Sequence, residues 1–244
     1  MTLVTEQARD ARRTPRLVVA LAVVAVVATP VLLFPYLSLD PSRSRIQVTN
    51  QLHYVALVVH VVTAATALLL GVLQLIPRIR ARHALHRRLG RIFLVVGVVA
   101  FGLTGIPLAL TSPNGDVTRY GILVPAIGWT VCAALGWTAI RAGRPADHRA
   151  WMIRTYALTF FALTARMVVP LLIVVQMPFQ DDRSPDAVRL LVASTIPYGQ
   201  WLGWIIDLAV AQYVIHRLRQ SDALAAASQV PAWGARGRGT KMER

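Results

Sequence analysis

The sequence has little charge and almost no cysteine for its length. Charged residues make up 15% of the 244 residues and hydrophobic residues 55%, whereas ordinary soluble domains carry about a quarter charged residues. The single cysteine, Cys132, lies inside an apolar block, which excludes an intrachain disulfide and a Cys-x-x-Cys-His haem attachment. Because the apolar residues are gathered into long blocks, the composition excludes an ordinary soluble domain.

Acidic side chains are also scarce, since 11 Asp and Glu stand against 26 Lys and Arg, for a net charge of +15. In a soluble protein this balance would indicate nucleic acid as a partner. Here the basic residues flank apolar blocks, so we interpret them as topology signals that face an anionic lipid leaflet, and nucleic-acid binding is not expected. The chain also lacks a Gly-rich phosphate loop, a Gly-x-Ser-x-Gly motif and a His-Glu-x-x-His motif, so no enzyme class is indicated.

Six apolar runs, each near the ~20 residues that cross a bilayer core, divide the chain. The first run has the basic flank of a signal peptide, but its length and the lack of a small-x-small cleavage site favour an uncleaved membrane helix. We therefore expect an all-α integral membrane protein with six transmembrane helices. The runs are 17–37, 52–76, 92–110, 120–140, 153–175 and 190–215.

The runs also predict the domain organisation. We expect a basic cytoplasmic tail over residues 1–16, a six-helix transmembrane domain over 17–216 and a disordered cytoplasmic tail over 217–244. Runs two to five are expected to form a four-helix core. The first run contains no ionisable residue, so its helix is expected at the periphery.

The distribution of Lys and Arg predicts the orientation. Twenty lie in the two tails and in the turns at 78–91 and 141–154, whereas five lie in the loops on the opposite side. Cytoplasmic loops carry this excess of positive charge, so both termini and both basic turns are expected in the cytoplasm of a multi-pass protein of the bacterial inner membrane.

The two basic turns share a second feature, a His-Arg pair just before the next apolar run. The pairs are His86-Arg87 and His148-Arg149. Repeats of the same orientation are related by an axis along the membrane normal, so the pairs suggest duplicated hairpins. The alternative is that any cytoplasmic hairpin acquires arginines.

Three ionisable residues lie deep within the apolar runs, namely His60, Arg166 and Asp207. Isolated charges at such depth cost several kcal/mol, so these residues should pair or line a wet cavity. Asp207 is the only carboxylate in the runs, which makes Arg166–Asp207 the natural ion pair. The cluster is interpreted either as a structural clamp or as a site that binds or transports a small molecule or a proton, with His60 as the titrating residue.

The histidines of the basic turns suggest a different site. His86 and His148 enter the membrane from the same side, as ligation of one b-type haem iron by two histidines requires. The adjacent Arg87 and Arg149 are placed to pair with haem propionates. The alternative is that both histidines are ordinary interfacial residues.

Two glycines of the predicted third helix, Gly90 and Gly97, share a helix face that would admit a porphyrin or, alternatively, a closely packed helix. With a haem at His86 and His148, the protein would exchange electrons with a cytoplasmic donor or a lipid-soluble quinone. Without one, it would be a binding, transport or purely structural membrane protein.

The stretches His86-Arg-Arg-Leu-Gly-Arg-Ile-Phe and His148-Arg-Ala-Trp-Met-Ile-Arg-Thr-Tyr-Ala carry a resemblance. Over residues 53–166 the chain resembles an uncharacterised bacterial membrane-protein family, domain of unknown function 2306, which implies no activity. The opening of the third run is more loosely similar to transmembrane b-type cytochromes and ferric reductases. That similarity implies two haems on runs two to five, but the fourth run contains no histidine to hold the second one.

Overall fold

The computed structural model describes residues 16–44 and 48–228, and within these ranges the chain is helical with no β-strand. The tails predicted at either end lie largely outside the described residues. The α-helices are α1 (Arg16–Leu33), α2 (Gln51–Leu75), α3 (Pro77–Ala81), α4 (His83–Gly97), α5 (Ile106–Leu110), α6 (Gly115–Arg141), α7 (Pro145–Gln176) and α8 (Pro185–Ser228).

The breaks between helices follow from local chemistry. At the start of α2 the Asn50 side chain accepts a hydrogen bond from the backbone N–H of His53 at 2.9 Å, which satisfies an amide that the helix leaves unpaired. The helix ends before Pro77, because proline has no N–H and restricts the preceding residue to extended conformations. Ile76 accordingly has ψ of 122°.

The third apolar run is not one regular helix. Between α4 and α5 the chain forms a π-helix over Val98–Gly105, eight residues long. The wider turn changes which backbone carbonyls face the neighbouring helices. π-Helical segments are rare and occur frequently at functional sites.

The core of the bundle is aromatic and centres on Trp129 of α6, which is fully buried. Phe101 of the π-helix stacks on its indole with ring centroids 4.9 Å apart, and Phe93 of α4 tilts against it at 5.9 Å. The indole N–H donates to the Thr159 hydroxyl of α7 at 2.9 Å. One side chain thus ties together three membrane segments.

Helix α1 packs on α2, and Ala25 is its one buried residue, as expected for a peripheral helix. Apart from Ala25, the buried residues of the main hydrophobic core belong to runs two to five. The most extensive contact between helices joins α7 and α8, so the sixth run belongs to the bundle. Glycines permit this approach, since a Cβ on Gly203 would lie 3.0 Å from the Ala165 backbone nitrogen.

Five helical segments of the described residues are long and apolar enough to cross a membrane. The sixth predicted run lies in α8, whose 44 residues would extend over ~66 Å at about 1.5 Å per residue. This run is less apolar than the others because it contains residues such as Gln200, Asp207 and Gln212. The helix continues past residue 216 to Ser228, and Asp222 pairs with Arg149 of α7 at 3.6 Å. The spans are Arg16–Tyr36, Gln51–Leu75, His83–Leu110, Gly115–Arg141 and Pro145–Phe179.

Candidate functional site

His60, halfway along α2, is held by the π-helix. Its Nδ1 lies 2.7 Å from the backbone oxygen of Ala100. A carbonyl oxygen can only accept, so Nδ1 carries the proton and Nε2 of the neutral ring is an acceptor. The Thr104 hydroxyl lies 3.4 Å from the same Nδ1 and 2.9 Å from the Ala100 oxygen.

Gly105 makes room for this arrangement. A Cβ at this position would lie 2.7 Å from the Ala100 oxygen and 3.4 Å from Cε1 of His60. The Phe101 ring meets the imidazole edge-on at 6.2 Å between centroids, and Arg166 of α7 lies within electrostatic range of His60. The Arg166 side chain is exposed rather than buried, and a shared site of His60 and Arg166 stays a prediction.

Asp207 has a different partner from the one expected. Its Oδ1 accepts a hydrogen bond from the Thr164 hydroxyl of α7 at 2.7 Å. Arg166 instead donates from Nη1 to the Ala162 oxygen of its own helix at 2.8 Å. Two residues along an α-helix rotate the direction of a side chain by about 200°, so Thr164 and Arg166 cannot both face Asp207. In the described part of the chain the partner found for Asp207 is Thr164, and no ion pair between Arg166 and Asp207 is seen there.

Polar side chains therefore project from two sides of α7 toward different neighbouring helices. Arg166 lies on the side of α2 and His60, whereas Thr164 faces α8 and Asp207. The second carboxylate oxygen of Asp207, Oδ2, is buried without a hydrogen-bond partner among the described residues. We refer to His60, Thr104, Thr164, Arg166 and Asp207 as the mid-depth layer.

The histidines of the basic turns lie within electrostatic range of each other, and both are partly buried. His148 donates from Nδ1 to the Gly136 oxygen of α6 at 2.8 Å, which leaves Nε2 as the acceptor. The Gln74 amide, oriented so that its oxygen accepts from the Gly90 N–H at 3.2 Å, donates to His86 Nδ1 at 2.5 Å. In this orientation His86 carries its proton on Nε2.

The glycines expected beside a porphyrin contact protein side chains. A Cβ on Gly97 would overlap the Trp129 indole, and one on Gly90 would lie 3.5 Å from the end of the Gln74 amide. Arg87 is exposed. These contacts give both glycines a packing role in the structure, and their role toward a cofactor stays a prediction.

Positive charge is concentrated around the two histidines. Partial burial, together with the nearby Arg149 charge, lowers the pKa of Arg80 from its ordinary value. Arg149 has a carboxylate partner in Asp222. Among the described residues no group of three or more His, Cys, Asp or Glu is arranged to hold a metal ion.

Several contributing residues were not predicted, namely Gln74, Thr104 and Thr164. Each is a polar residue inside an apolar run, and that exception to the hydropathy pattern was the available signal. Sequence alone could not assign their partners, because the partner depends on the rotation of each helix in the bundle.

The structure has the features of an integral membrane protein of the helical-bundle class. Five of its helical segments are long and apolar enough to cross a membrane, two basic turns connect successive segments, and polar side chains lie between them. Residues 57–215 match the model of the family described as predicted membrane protein (DUF2306), and the chain belongs to that family. No curated protein and no solved structure matches the chain at a significant level. The family description names a membrane protein and no activity, so a functional proposal rests on the residues.

Proposed function

We propose that this protein transfers protons across the membrane through the mid-depth layer, with His60 and Asp207 as the groups that bind them. The observation that carries the proposal is the environment of Asp207. Its carboxylate, in the interior of the bundle, has one hydroxyl as its hydrogen-bond donor and a second, buried oxygen without a partner among the described residues. Intramembrane carboxylates are costly and mark proton or ion pathways.

His60 supports the same proposal. Its Nδ1 is fixed by a carbonyl of the π-helix, which leaves Nε2 as the site that takes up and releases a proton. Imidazole is the side chain whose unperturbed pKa lies nearest to neutrality. Arg166 lies within electrostatic range of the same ring, so a charged group lies near the proposed proton-binding nitrogen.

The proposal includes six spans, with α8 as the sixth. It places both termini and both basic turns in the cytoplasm of a bacterial inner membrane, on the strength of the twenty-to-five distribution of Lys and Arg. Helix α8 has the length to cross the bilayer and continue into the cytoplasm. Its polar side chains face partners inside the bundle, as Thr164 and Asp207 show.

The proposal predicts proton flux in liposomes that contain the purified protein and a trapped pH-sensitive dye. After an external pH step, the internal pH should follow several-fold faster than in protein-free liposomes. Asp207→Asn and His60→Gln should abolish the acceleration. His216→Gln is the matched control, because His216 is exposed near the end of α8 and contacts Gln220. Flux equal to that of empty liposomes, or flux unchanged in both variants, would contradict the proposal.

A second candidate is the one-haem redox protein, favoured by the convergence of His86 and His148 from one side. Nδ1 of His148 donates a hydrogen bond, whereas Nδ1 of His86 accepts one. His148 presents an unprotonated Nε2, as iron ligation needs, whereas His86 presents an N–H while Gln74 donates to it. Ligation by both imidazoles would therefore require the Gln74 amide to reverse. Arg87 and Arg149 would then be the partners of the propionates.

The haem candidate predicts a coloured protein when the chain is overproduced in haem-supplemented cells. A reduced-minus-oxidised spectrum should show sharp b-type bands that disappear in His86→Ala and in His148→Ala. Gln74→Leu should strengthen haem binding, because it removes the donor that holds His86 in the wrong tautomer. A colourless, folded protein would rule this candidate out.

A further inference from the structure

Buried polar atoms without a hydrogen-bond partner are concentrated in one region. Five such side-chain atoms occur in the described part of the chain, and three of them belong to α8: Gln200 Oε1, Trp204 Nε1 and Asp207 Oδ2. Native proteins leave few buried polar groups unpaired, and a bound water or ion is a frequent explanation. Three on one helix therefore indicate something bound there.

The three side chains lie on one face of the helix. Their spacings of four and three residues are those that bring side chains together on an α-helix. Gln200 lies near the end of the bundle opposite the basic turns, where its Cβ would contact a Cβ on Gly121 of α6 at 3.5 Å. Trp204 and Asp207 follow toward mid-depth, so the three form a row that ends at the mid-depth layer.

The chemistry of the row identifies its occupant. Two of the unpaired atoms, Gln200 Oε1 and Asp207 Oδ2, are acceptors, and the Trp204 N–H between them is a donor. Water can donate to both acceptors and accept from the indole, and buried waters typically make about three hydrogen bonds to such groups. A metal ion would not satisfy the indole N–H, and it would need several more oxygen ligands.

We propose that Gln200, Trp204 and Asp207 hold a short chain of buried water that connects Asp207 to the end of the bundle opposite the basic turns. This inference rests on the proposed function, for which it supplies the route by which protons reach the carboxyl group. A lone carboxylate in an apolar interior is costly, and proton uptake removes that cost. The water chain supplies the proton.

The charged and titratable groups around Asp207 leave it without an ion pair among the described residues. Helix α7 contributes the Thr164 hydroxyl to Asp207, whereas its Arg166 binds Ala162 and lies near His60 of α2. Arg154 of α7 donates to Gln212 at 2.7 Å. Helix α6 has only Tyr120 and Cys132 as titratable residues between Arg119 and Arg141.

Infrared difference spectroscopy of the protein in lipid membranes tests the proposed water chain directly. Spectra recorded at low and high pH, in ordinary and in ¹⁸O-labelled water, should show a protonated carboxyl band and water O–H bands shifted by the isotope. Asp207→Asn should remove the carboxyl band. Trp204→Phe and Gln200→Leu should each remove a water band while the carboxyl band persists at a shifted position.

The matched control is Trp201→Phe. Trp201 is on the same helix, but its N–H already donates to the Val117 oxygen of α6 at 3.0 Å, so both sets of bands should remain. Absence of isotope-sensitive water bands, or water bands that Trp204→Phe and Gln200→Leu leave unchanged, would overturn the inference even if proton flux is intact. Water bands that respond as expected, without proton flux in liposomes, would support the water site and contradict the transport proposal.

Discussion

At the scale of single residues, Trp129 and Gly97 form the tightest complementary pair of the core. The indole lies against the glycine so closely that a Cβ on Gly97 would overlap it, and Trp129 also bonds to Thr159. The side chain is fully buried and surrounded by Phe93, Phe101 and Thr159, so it cannot turn away into solvent. Close packing around this tryptophan therefore requires glycine at position 97.

Replacing Gly97 by alanine should destabilise the protein by about 1–3 kcal/mol, the usual cost of overpacking a core. Thermal unfolding in detergent measures the effect. Gly128→Ala is the control, because the nearest atom to its added Cβ is Leu158 Cδ1 at an ordinary 3.5 Å. Both substitutions change helix propensity by the same amount. The difference between their unfolding temperatures therefore isolates the effect of the contact with Trp129. Equal unfolding temperatures for the two variants would contradict this packing role.

At the scale of elements, the π-helix over Val98–Gly105 positions the mid-depth layer. It presents the Ala100 oxygen to His60 at 2.7 Å, and Thr104 donates to the oxygens of Val99 and Ala100 at 2.8 and 2.9 Å. In a π-helix each carbonyl pairs with the N–H five positions later rather than four, and its oxygen keeps a second lone pair for a side chain. The wider turn therefore turns a backbone oxygen into a partner for a side chain.

Gly105→Ala should disturb this element, because the added Cβ would lie 2.7 Å from the backbone oxygen of Ala100. We expect a loss of about 1–3 kcal/mol in unfolding free energy and a weaker His60–Ala100 hydrogen bond. Unfolding measurements and nitrogen NMR of the labelled His60 ring report the two effects. Gly102→Ala serves as the comparison, since its nearest neighbours are 3.8 Å away. An unchanged His60 resonance in Gly105→Ala would contradict the role given to the π-helix.

At the scale of the whole molecule, the sequence allowed the all-helical membrane class to be predicted because long apolar runs have few alternatives in a bilayer. The end of α2 before Pro77 follows from the sequence by a local mechanism, since proline ends helices, and the break after Arg141 coincides with Gly143, whose φ is 69°. The π-helix does not follow from the sequence, because its residues are as apolar as those of the flanking helix and the change lies in backbone hydrogen bonding.

The candidate site was predicted in part. Depth along the chain identified His60, Arg166 and Asp207, but pairing depends on helix rotation, which a single sequence does not define. Asp207 therefore received Arg166 as its expected partner instead of Thr164. The polar residues of α8 affect the number of spans that hydropathy identifies. Residues such as Asp207 lower the hydropathy of this helix although they face inward, so α8 is not among the five apolar spans.

The central claim, that six helices cross the membrane with both basic turns on one side, can be tested by cysteine labelling. Cys132 is the single cysteine, so Cys132→Ala provides a clean background. Single cysteines are then placed at exposed positions outside the predicted membrane spans. They are Ser42, Asn114 and Ser184 on one predicted side, and Ala84, Ala142 and Ser221 on the other.

A membrane-impermeant thiol reagent added to whole cells should label cysteines at Ser42, Asn114 and Ser184. Those at Ala84, Ala142 and Ser221 should react only after the membrane is opened. The decisive pair is Ser184 and Ser221, because these positions lie at either end of the proposed sixth span. Labelling of both from the same side would show that α8 does not cross the membrane and would contradict the account.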